Sequence, residues 1–358
     1  MTNSSTNAPG AGSGSMSSHR YPWKWYLKDL KPPAENAPTV FSTFACGGGS
    51  SMGYKRAGYR VLGNCEIDQK IAEVYKRNLH PKLSYVMDIR EFNKLDILPD
   101  ELYNLDVLDG SPPCSTFSTV GSREKSWGIE KQFAEGQKKQ RLDDLFFVYL
   151  ETVSKLKPKV FVAENVTGLL SGNAKGYVNE IIKTARDIGY EVQLFKLNAA
   201  FMGVPQKRER VFFIGNRMRW EKLRLRFEER PITFGEVRSK EGKPFGNDDS
   251  VYKAMLRHRV PGDKSMADIT ERLRGKRSGH NNRVVSDSAV CDTIPASAAI
   301  FRMCDGLWFT QNDYRNVASF PQDYDFSGKD PHFITGMSVP PSMMANIAHE
   351  IKKQWLEV

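Results

Sequence analysis

The stretch that decides the fold is residues 40–53, which read VFSTFACGGGSSMG. The pattern predicts a strand over residues 40–44, a glycine-rich turn, and a short helix over residues 51–57. Glycines let a backbone approach a ligand closely, and a helix N-terminus attracts negative charge, although such turns are also common without a ligand. Glu66 ends a second predicted strand about 20 residues further on, where dinucleotide folds place a ribose-binding acid. The pair therefore indicates a nucleoside cofactor.

Strands and helices continue to alternate beyond this unit. Such alternation is typical of a Rossmann-like, doubly wound α/β fold, in which helices cover both faces of a mostly parallel sheet. Asp88 follows the third strand, where it could accept a hydrogen bond from an adenine amino group or face solvent at a turn. The predicted strands are residues 60–65, 85–87, 105–108, 160–163, 191–197 and 210–214, and the predicted helices are residues 69–78, 141–156 and 175–188.

The periodicity fades after Asn216, and the region that follows is rich in Arg, Lys, Gly, Ser and Asp. Long structureless stretches are uncommon inside compact domains, so this region indicates a second, smaller domain. Pro340 and Pro341 suit the first turn of a final helix. The predicted organisation is a flexible N-terminal segment at residues 1–36, the α/β domain at 37–216, the smaller domain at 217–305, and a C-terminal segment at 306–358 that returns to the α/β domain.

Composition limits the class of protein. Hydrophobic residues make up 40% of the 358 residues and charged residues 26%, as in a folded, soluble chain. No apolar run approaches the roughly 20 residues of a membrane span, and the N-terminus carries no apolar signal region. The five cysteines include no Cys-x-x-Cys pair, which argues against a disulfide framework or a zinc site. We expect a reducing, cytoplasmic compartment, with no metal and no membrane partner.

The formal net charge is +10, and the positive residues are clustered in two segments. Basic segments around a reactive site favour binding of a polyanion, with DNA or RNA as the leading candidates. The first cluster is Arg123, Lys125, Lys131, Lys138, Lys139 and Arg141, and the second is Arg257, Arg259, Lys264, Arg272, Arg274, Lys276, Arg277 and Arg283.

Cys114 lies in the run DGSPPCSTFS, shortly after the predicted strand at residues 105–108. Ligands of open α/β sheets bind beyond the carboxyl ends of the strands, which is where this thiol falls. The two prolines before it lack an N–H and have a fixed φ, so the loop holds the sulfur in one place. A free cysteine is more often a small core residue, but the neighbouring motifs favour a reactive one.

Two charged blocks lie near other strand ends. Glu164 follows the predicted strand at residues 160–163, at the same sheet edge as Cys114, where a buried carboxyl can donate a proton. Arg208 and Arg210 share one face of an extended segment, from which they could pair with Glu164, a base carbonyl or a phosphate. A helix-capping Glu or a solvated strand edge would explain each block alone, and only the combination favours a catalytic site.

In this order, the blocks resemble those of the bacterial and phage DNA (cytosine-5)-methyltransferase family. The resemblance implies a bacterial cell or a phage-infected host. The resemblance covers most of residues 39–350, except residues 217–290. Four positions depart from the usual pattern: Cys46-Gly47 in the glycine turn, Ser115 for Gln, Asn312-Asp313 for Arg-Glu, and Met337 for Asn. The blocks are the glycine turn (Phe-x-Gly-x-Gly-Gly), the Cys114 loop (Pro-Cys-Gln-x-Phe-Ser), residues 164–166 (Glu-Asn-Val), residues 203–210 (Gly-Val-Pro-Gln-x-Arg-x-Arg), residues 309–321 (Leu-Thr-x-Arg-Glu with Ser-Phe-Pro) and residues 336–341 (Gly-Asn-Ser-Val-Pro-Pro).

The resemblance implies a class I methyltransferase with S-adenosylmethionine as methyl donor and S-adenosylhomocysteine as product. It implies that Phe44 stacks on adenine, that Glu66 holds the ribose hydroxyls, and that Asp88 binds the adenine amino group. The complete set of implied donor contacts is Phe44, Gly48, Gly49, Glu66, Ile67, Asp88, Ile89, Pro113, Leu145, Ser338 and Val339.

The resemblance also implies methyl transfer to carbon 5 of a cytosine flipped out of a specific double-stranded DNA sequence. Cys114 would add to carbon 6, Glu164 would protonate or hydrogen-bond ring nitrogen 3, and Arg210 would hold the base carbonyl and steady Glu164. Arg208 would meet phosphate or its own loop. Residues 115–141 would be a mobile lid, and residues 217–305 a target-recognition domain. The implied DNA contacts are Ser115, Ser118, Arg123, Gln206 and Thr293.

Three alternatives stay open at this stage. A tRNA cytosine methyltransferase would use the same chemistry, although the long variable region favours duplex DNA. A catalytically silent DNA-binding relative would not need intact Cys114, Glu164 and Arg210. An NAD-dependent dehydrogenase would explain the glycine turn and Glu66, but not the later blocks. We expect a monomer, and the sequence does not distinguish an orphan or phage enzyme from one with a partner restriction endonuclease.

Overall fold

A seven-stranded sheet forms the centre of the protein in a computed structural model. The structure describes residues 19–113, 145–171, 174–246, 250–279, 282–296 and 299–357. The strands are β1 (Thr39–Thr43), β2 (Arg60–Glu66), β3 (Leu83–Val86), β4 (Val107–Gly110), β5 (Val160–Val166), β6 (Glu191–Asn198), β7 (Gln206–Lys207), β8 (Glu209–Asn216), β9 (Arg283–Val285), β10 (Cys291–Asp292) and β11 (Ile300–Arg302).

The central sheet has the strand order β3-β2-β1-β4-β5-β8-β6. β8 is antiparallel to its neighbours β5 and β6, and the other adjacent pairs are parallel. The chain runs outward from β1 to β3 and then crosses to β4 on the other side of β1, so the strand order reverses between β1 and β4. Open α/β sheets bind their ligands in the crevice at such a reversal. The turn after β1 and the loop after β4 lie at this crevice.

The helices follow the strands as the alternation predicts. The helices are α1 (Gly49–Arg56), α2 (Gln69–Leu79), α3 (Ile89–Lys94), α4 (Asp100–Tyr103), α5 (Leu145–Leu156), α6 (Ala174–Asp187), α7 (Phe234–Val237), α8 (Ser250–Leu256), α9 (Met266–Arg274), α10 (Gln311–Val317), α11 (Pro331–Met337) and α12 (Pro341–Ile351), with 3-10 turns at Leu27–Asp29, Thr167–Leu170 and Ala199–Phe201 and a π-helical end at Lys352–Leu356.

Apolar side chains cover both faces of the sheet. Adjacent residues of β1 show this, because Val40 packs with the residues of α1 and α12 on one face, whereas Phe41 packs with those of α3, α5 and α6 on the other. Both side chains are fully buried, and burial of one such side chain stabilises a fold by roughly 1.5–3 kcal/mol. The structure therefore confirms the predicted Rossmann-like, doubly wound α/β fold with a mostly parallel sheet.

A smaller apolar core lies in the region after β8. Leu256, Met266, Ile269, Val284 and Phe301 are buried together there, from α8, α9, β9 and β11. The chain between this core and β8 packs differently: the indole of Trp220 stacks on that of Trp355 with ring centroids 5.9 Å apart. Residues just after β8 therefore lie against the C-terminal helix, and the smaller core begins further along the chain.

One strand is longer than the sequence predicts. The expected strand at residues 160–163 extends to Val166, because β8 pairs with it in antiparallel register as far as Arg210. Glu164 consequently lies within β5 and not after it. In the part of the chain that the structure describes, none of the helices has the length and apolar character needed to cross a membrane.

Candidate active site

The turn between β1 and α1 has an unusual backbone. Phe44 and Cys46 adopt positive φ angles of 51° and 46°, and Gly48, the N-cap of α1, has φ 85°. Positive φ is uncommon for residues with a Cβ and persists where the surroundings hold it, whereas glycine adopts it freely. The hydroxyl of Tyr324 donates a hydrogen bond of 2.7 Å to the carbonyl of Gly47 and fixes the turn from outside.

The same turn contacts the C-terminal motif of the chain. A Cβ on Gly49 would lie 2.2 Å from the carbonyl oxygen of Val339 and 2.9 Å from Cβ of Ser338, so only glycine fits at this position. Ser338 and Val339 are both buried. Burial raises the pKa of the nearby Cys46 thiol to about 12, which makes it a poor second nucleophile.

Glu66 is the last residue of β2, as predicted, and its carboxylate faces the turn. One oxygen accepts the backbone N–H of Cys46 at 2.9 Å and the other that of Asp68 at 3.1 Å. Burial raises the pKa of Glu66, and these backbone donors partly offset that effect. Each carboxylate oxygen retains lone pairs, so the group can also accept hydrogen bonds from ribose hydroxyls.

Three of the expected donor contacts meet in one apolar cluster. Ile89 and Leu145 are buried together with Val148, and the ring of Phe44 packs against them. Asp88 precedes this cluster and caps α3 by accepting the backbone N–H of Arg90 at 2.8 Å. Its carboxylate also pairs with the Arg90 guanidinium at 3.4 Å. The sequence therefore placed Asp88 at the crevice, but did not predict its capping role.

The residues present fit the adenosine and methionine parts of S-adenosylmethionine. Ile67, the neighbour of Glu66, and Met337, the neighbour of Ser338, are apolar side chains that remain 37% and 41% exposed. A carboxylate with apolar side chains nearby, as Glu66 has in Ile67, is the usual composition of a cofactor site. Pro113, the last residue described before the gap in the chain, is half-buried at the end of the loop after β4.

Met337 is predicted to tolerate replacement by asparagine, the residue usual in the family. Its exposure excludes a core packing role, and a new amide could add one hydrogen bond to the donor, worth about 0.5–1.5 kcal/mol. We expect Met337→Asn to change the affinity for S-adenosylhomocysteine by roughly tenfold at most. Calorimetric titration of both proteins measures this change. An unchanged affinity would show that Met337 does not contact the donor.

Glu164 and Arg210 form an ion pair across the antiparallel strands β5 and β8. The distance from Arg210 Nε to Glu164 Oε1 is 2.8 Å, and the two side chains are only 13% and 10% exposed. Because so little solvent reaches this ion pair, removing either partner would leave an uncompensated buried charge, which is strongly unfavourable. The structure thus brings together the expected proton donor and the expected base-holding arginine.

Arg208 lies deeper than the sequence suggested. It is 2% exposed, and its Nη2 donates a hydrogen bond of 2.8 Å to the carbonyl of Gly336, in the C-terminal motif. Burial lowers the pKa of Arg208 to about 9, and the neighbouring Arg210 adds to this effect. The side chain therefore braces another part of the chain, in contrast to the expected contact with phosphate or with its own loop.

Asn165 connects two of the motifs, a role that the sequence did not reveal. Its side-chain N–H donates a hydrogen bond of 3.0 Å to the carbonyl of Pro112. The strand that carries Glu164 is therefore tied to the loop that leads to Cys114. Cys114 itself lies outside the described residues. The Glu-Asn-Val block was the available signal, since an amide beside the acid has both a donor and an acceptor.

The expected DNA contacts divide into two groups. Gln206 is fully buried: its amide donates to the carbonyl of Val317 at 3.4 Å and accepts from the N–H of Ile294 at 3.3 Å. Gln206 therefore joins β7 to the segments that contain Ile294 and Val317. This buried position differs from the expected contact with DNA. The Thr293 hydroxyl donates to the carbonyl of Lys207 at 2.7 Å. The remaining contacts, Ser115, Ser118 and Arg123, lie outside the described residues, as does the whole of the first basic cluster.

The strand order and the crevice at its reversal define an α/β fold of the class I methyltransferase type. The sequence profile of the C-5 cytosine-specific DNA methylases matches residues 39–295. The Type II methyltransferase M.FnuDI of Fusobacterium nucleatum is 28% identical over 342 residues, which cover 88% of this chain and 94% of that protein. The Type II methyltransferase M.AplI of Arthrospira platensis is 30% identical over 351 residues, which cover 94% and 92%.

The fold agrees with a solved structure described as a DNA modification methyltransferase encoded within an E. coli prophage. Its TM-score is 0.66 with 18% sequence identity, and the match covers 90% of this chain and 100% of the other. The chain belongs to the C-5 cytosine-specific DNA methylase family. It is a DNA cytosine-5-methyltransferase, and its family and fold imply that it uses S-adenosylmethionine.

Proposed function

We propose that this enzyme methylates carbon 5 of a cytosine flipped out of a specific double-stranded DNA sequence, through a covalent bond between Cys114 and the base. The observation that carries the proposal is the buried Glu164–Arg210 pair, 2.8 Å apart. Asn165, the neighbour of Glu164, bonds to the carbonyl of Pro112, two residues before Cys114. The base-binding groups and the nucleophile loop are thereby held to each other.

The chemistry begins at carbon 6 of the base. Carbon 5 of cytosine is a poor nucleophile, but addition of the Cys114 thiolate to carbon 6 converts the ring to an enamine that can attack a methyl group. Bound S-adenosylmethionine supplies that electrophilic methyl group. Glu164 hydrogen-bonds or protonates ring nitrogen 3 and so stabilises the charge that develops on the ring. After methylation, loss of the carbon 5 proton, with water as the simplest acceptor, expels Cys114.

The two arginines have different roles in this proposal. Arg210 orients Glu164 and holds the carbonyl oxygen of the base, because its guanidinium donates to several acceptors in fixed directions. Arg208 braces the carbonyl of Gly336 and so connects the base-binding strand with the C-terminal motif that contacts the donor turn. Phe44, Glu66 and Asp88 would hold the adenosine part of the donor, with Ile67, Ile89, Pro113 and Leu145 around it.

Residues 217–305 are proposed as the target-recognition domain. Several cations of the second basic cluster already have protein partners: Arg277 pairs with Asp268 and Glu271, and Arg272 with Asp263. Arg283, at the start of β9, is exposed and has no ion pair among the described residues. Exposed cations without an ion-pair partner, such as Arg283, can contact phosphates or the edges of guanine bases.

The relatives named above are Type II methyltransferases. We therefore propose that this enzyme acts in a restriction-modification system, as a monomer in the cytoplasm beside a partner endonuclease. Incubation with plasmid DNA and labelled S-adenosylmethionine, followed by bisulfite sequencing, tests both the activity and the target. Methylation of one recurring sequence supports the proposal, whereas labelling of tRNA in place of duplex DNA supports the alternative substrate.

Grafting residues 217–305 into a related methyltransferase is expected to change the sequence that is methylated. The physical reason is that this region contains an apolar core of its own, formed by α8, α9, β9 and β11, while the Glu164–Arg210 pair stays with the host. The graft keeps the residues around Trp220 and Phe234 matched to the host, because they pack on other parts of the chain. Bisulfite mapping of DNA treated with the chimaera measures the result. An active chimaera that keeps the host's target sequence would place specificity elsewhere.

A further inference from the structure

A buried carboxyl group lies beneath the donor turn and has no role in the mechanism above. Asp109 belongs to β4 and is 2% exposed. The Tyr54 hydroxyl donates to its Oδ1 at 3.5 Å, and the hydroxyls of Ser42 and Ser50 lie against the same carboxyl. Burying a carboxyl without full charge compensation is unfavourable, so this arrangement calls for an explanation.

The hydroxyl network around Asp109 reaches the donor turn. Tyr75 donates to Ser51 at 2.8 Å, and Ser51 donates to Ser42 at 3.0 Å. Ser42 is also the β1 residue that pairs with Asp109 in the sheet. The hydroxyls of this hydrogen-bond series therefore donate in the direction from α2 to Asp109, which favours the ionised form of the carboxyl group.

Asp109 also lies between the two parts of the active site. Ser50 is the second residue of α1, directly after the Gly48–Gly49 turn proposed to contact the donor. On the other side, β4 continues through the loop of Pro112 towards Cys114. The hydroxyl of Thr43 donates to the backbone carbonyl of Asp109 at 3.2 Å and fixes β4 against the end of β1.

The charged state of Asp109 is balanced near neutrality. Burial raises the pKa of Asp109 to about 7, the serine and tyrosine hydroxyls lower it, and Glu164 on β5 raises it further. The other titratable groups that face it are tyrosines: Tyr54 on α1, Tyr75 on α2 and Tyr149 on α5. Burial holds the pKa of all three above the usual range, so they stay neutral while Asp109 titrates.

We propose that Asp109 is a positioning residue of the donor site whose ionised form favours the sulfonium of S-adenosylmethionine over the neutral thioether of S-adenosylhomocysteine; this inference rests on the proposed function. The donor carries a positive charge at sulfur, and the product does not. A negative charge beneath the turn attracts the first and not the second, and the interior screens this attraction less than water does. Ionised Asp109 therefore favours exchange of product for donor.

The test compares donor and product affinities by calorimetry between pH 6 and pH 8.5, for the wild type, Asp109→Asn and Asp106→Asn. Asp106 precedes the same strand, pairs with Lys159 and accepts hydrogen bonds from the N–H and hydroxyl of Thr39, so it serves as a carboxyl control whose partners are not the α1 hydroxyls. Between pH 6 and pH 8.5, the ratio of donor affinity to product affinity should rise roughly three- to tenfold more in the wild type and in Asp106→Asn than in Asp109→Asn. The ligands' own amino groups also ionise in this pH range. Their effect on affinity is the same in all three proteins, so it cancels in the comparison with Asp109→Asn.

Tyr54→Phe provides a second, milder variant. It removes one hydroxyl that favours the ionised carboxylate, so the pH step in ligand preference should move to higher pH. A step of equal size and position in the wild type, Asp109→Asn and Tyr54→Phe would overturn the inference. Failure of the wild type to bind either ligand would instead overturn the proposed donor.

Discussion

Replacement of Cys114 by serine should abolish turnover, with a loss on the order of a thousandfold or more, while affinity for S-adenosylhomocysteine stays nearly unchanged. A serine hydroxyl is far less nucleophilic than a thiolate and cannot readily add to carbon 6 of the base. The proposed donor contacts, in contrast, come mostly from the ends of β1, β2 and β3, from α5 and from the C-terminal motif, and only Pro113 is a direct neighbour of Cys114. Methylation rates, donor-product calorimetry and covalent trapping on DNA that contains 5-fluorocytosine measure the three effects.

Cys304→Ser is the matched control for this substitution. Cys304 is a free, exposed cysteine in the region after β8, so the same atom is replaced away from the proposed chemistry. The control should keep both turnover and the trapped complex, which resists denaturing electrophoresis. A Cys114→Ser enzyme that methylates at nearly the wild-type rate would contradict the covalent mechanism.

Disruption of the Glu164–Arg210 pair should have the second largest effect. Glu164→Gln removes the proton donor, and Arg210→Met leaves the Glu164 carboxylate buried without its partner. We expect each variant to lower kcat by about a hundred- to a thousandfold, as removal of one stabilising donor does in other active sites. The double variant should lose little more than either single one, because groups that act as a unit are not additive.

Glu209→Gln provides the control for charge removal on the same strand. Glu209 pairs with Lys196 at 2.9 Å, but the two side chains are 49% and 51% exposed. Exposed pairs contribute about 0–1 kcal/mol, so this variant should retain activity. Single-turnover rates separate the chemical step from DNA binding. Equal losses in Glu209→Gln and Glu164→Gln, or strictly multiplicative losses in the double variant, would argue against a catalytic unit.

The fold was predictable from sequence because local periodicity carries it. Buried strands such as β1 and amphipathic helices such as α6 each show their period within a few residues. The direction of β8 was not predictable, since it depends on contacts with β5 and β6 that are formed only in the folded sheet. That direction matters for the site, because it brings Arg210 opposite Val166 and within reach of Glu164.

The burial of individual polar residues was less accessible to sequence analysis. Strand alternation predicts which face of the strand carries Arg208, but it does not predict the hydrogen-bond partner of this side chain, the carbonyl of Gly336, which is 128 positions away. The family resemblance implied that Gln206 contacts DNA, whereas its amide bonds to residues 88 and 111 positions distant. Asp109 begins the run that contains Cys114, but the hydroxyls around its carboxyl come from separate elements, which the local sequence does not reveal. Long-range partners of this kind leave no local pattern.

The contact between the donor turn and Val339 has a consequence for biosynthesis. The first motif leaves the ribosome long before its packing partners in the C-terminal motif are made; the bond from Tyr59 to the carbonyl of Ala348 alone spans 289 positions. Contacts with so large a separation form late and slow the folding of a chain. A nascent or truncated chain that lacks residues 336–351 therefore cannot close the proposed donor site, and we expect no modification of DNA until these residues have been made.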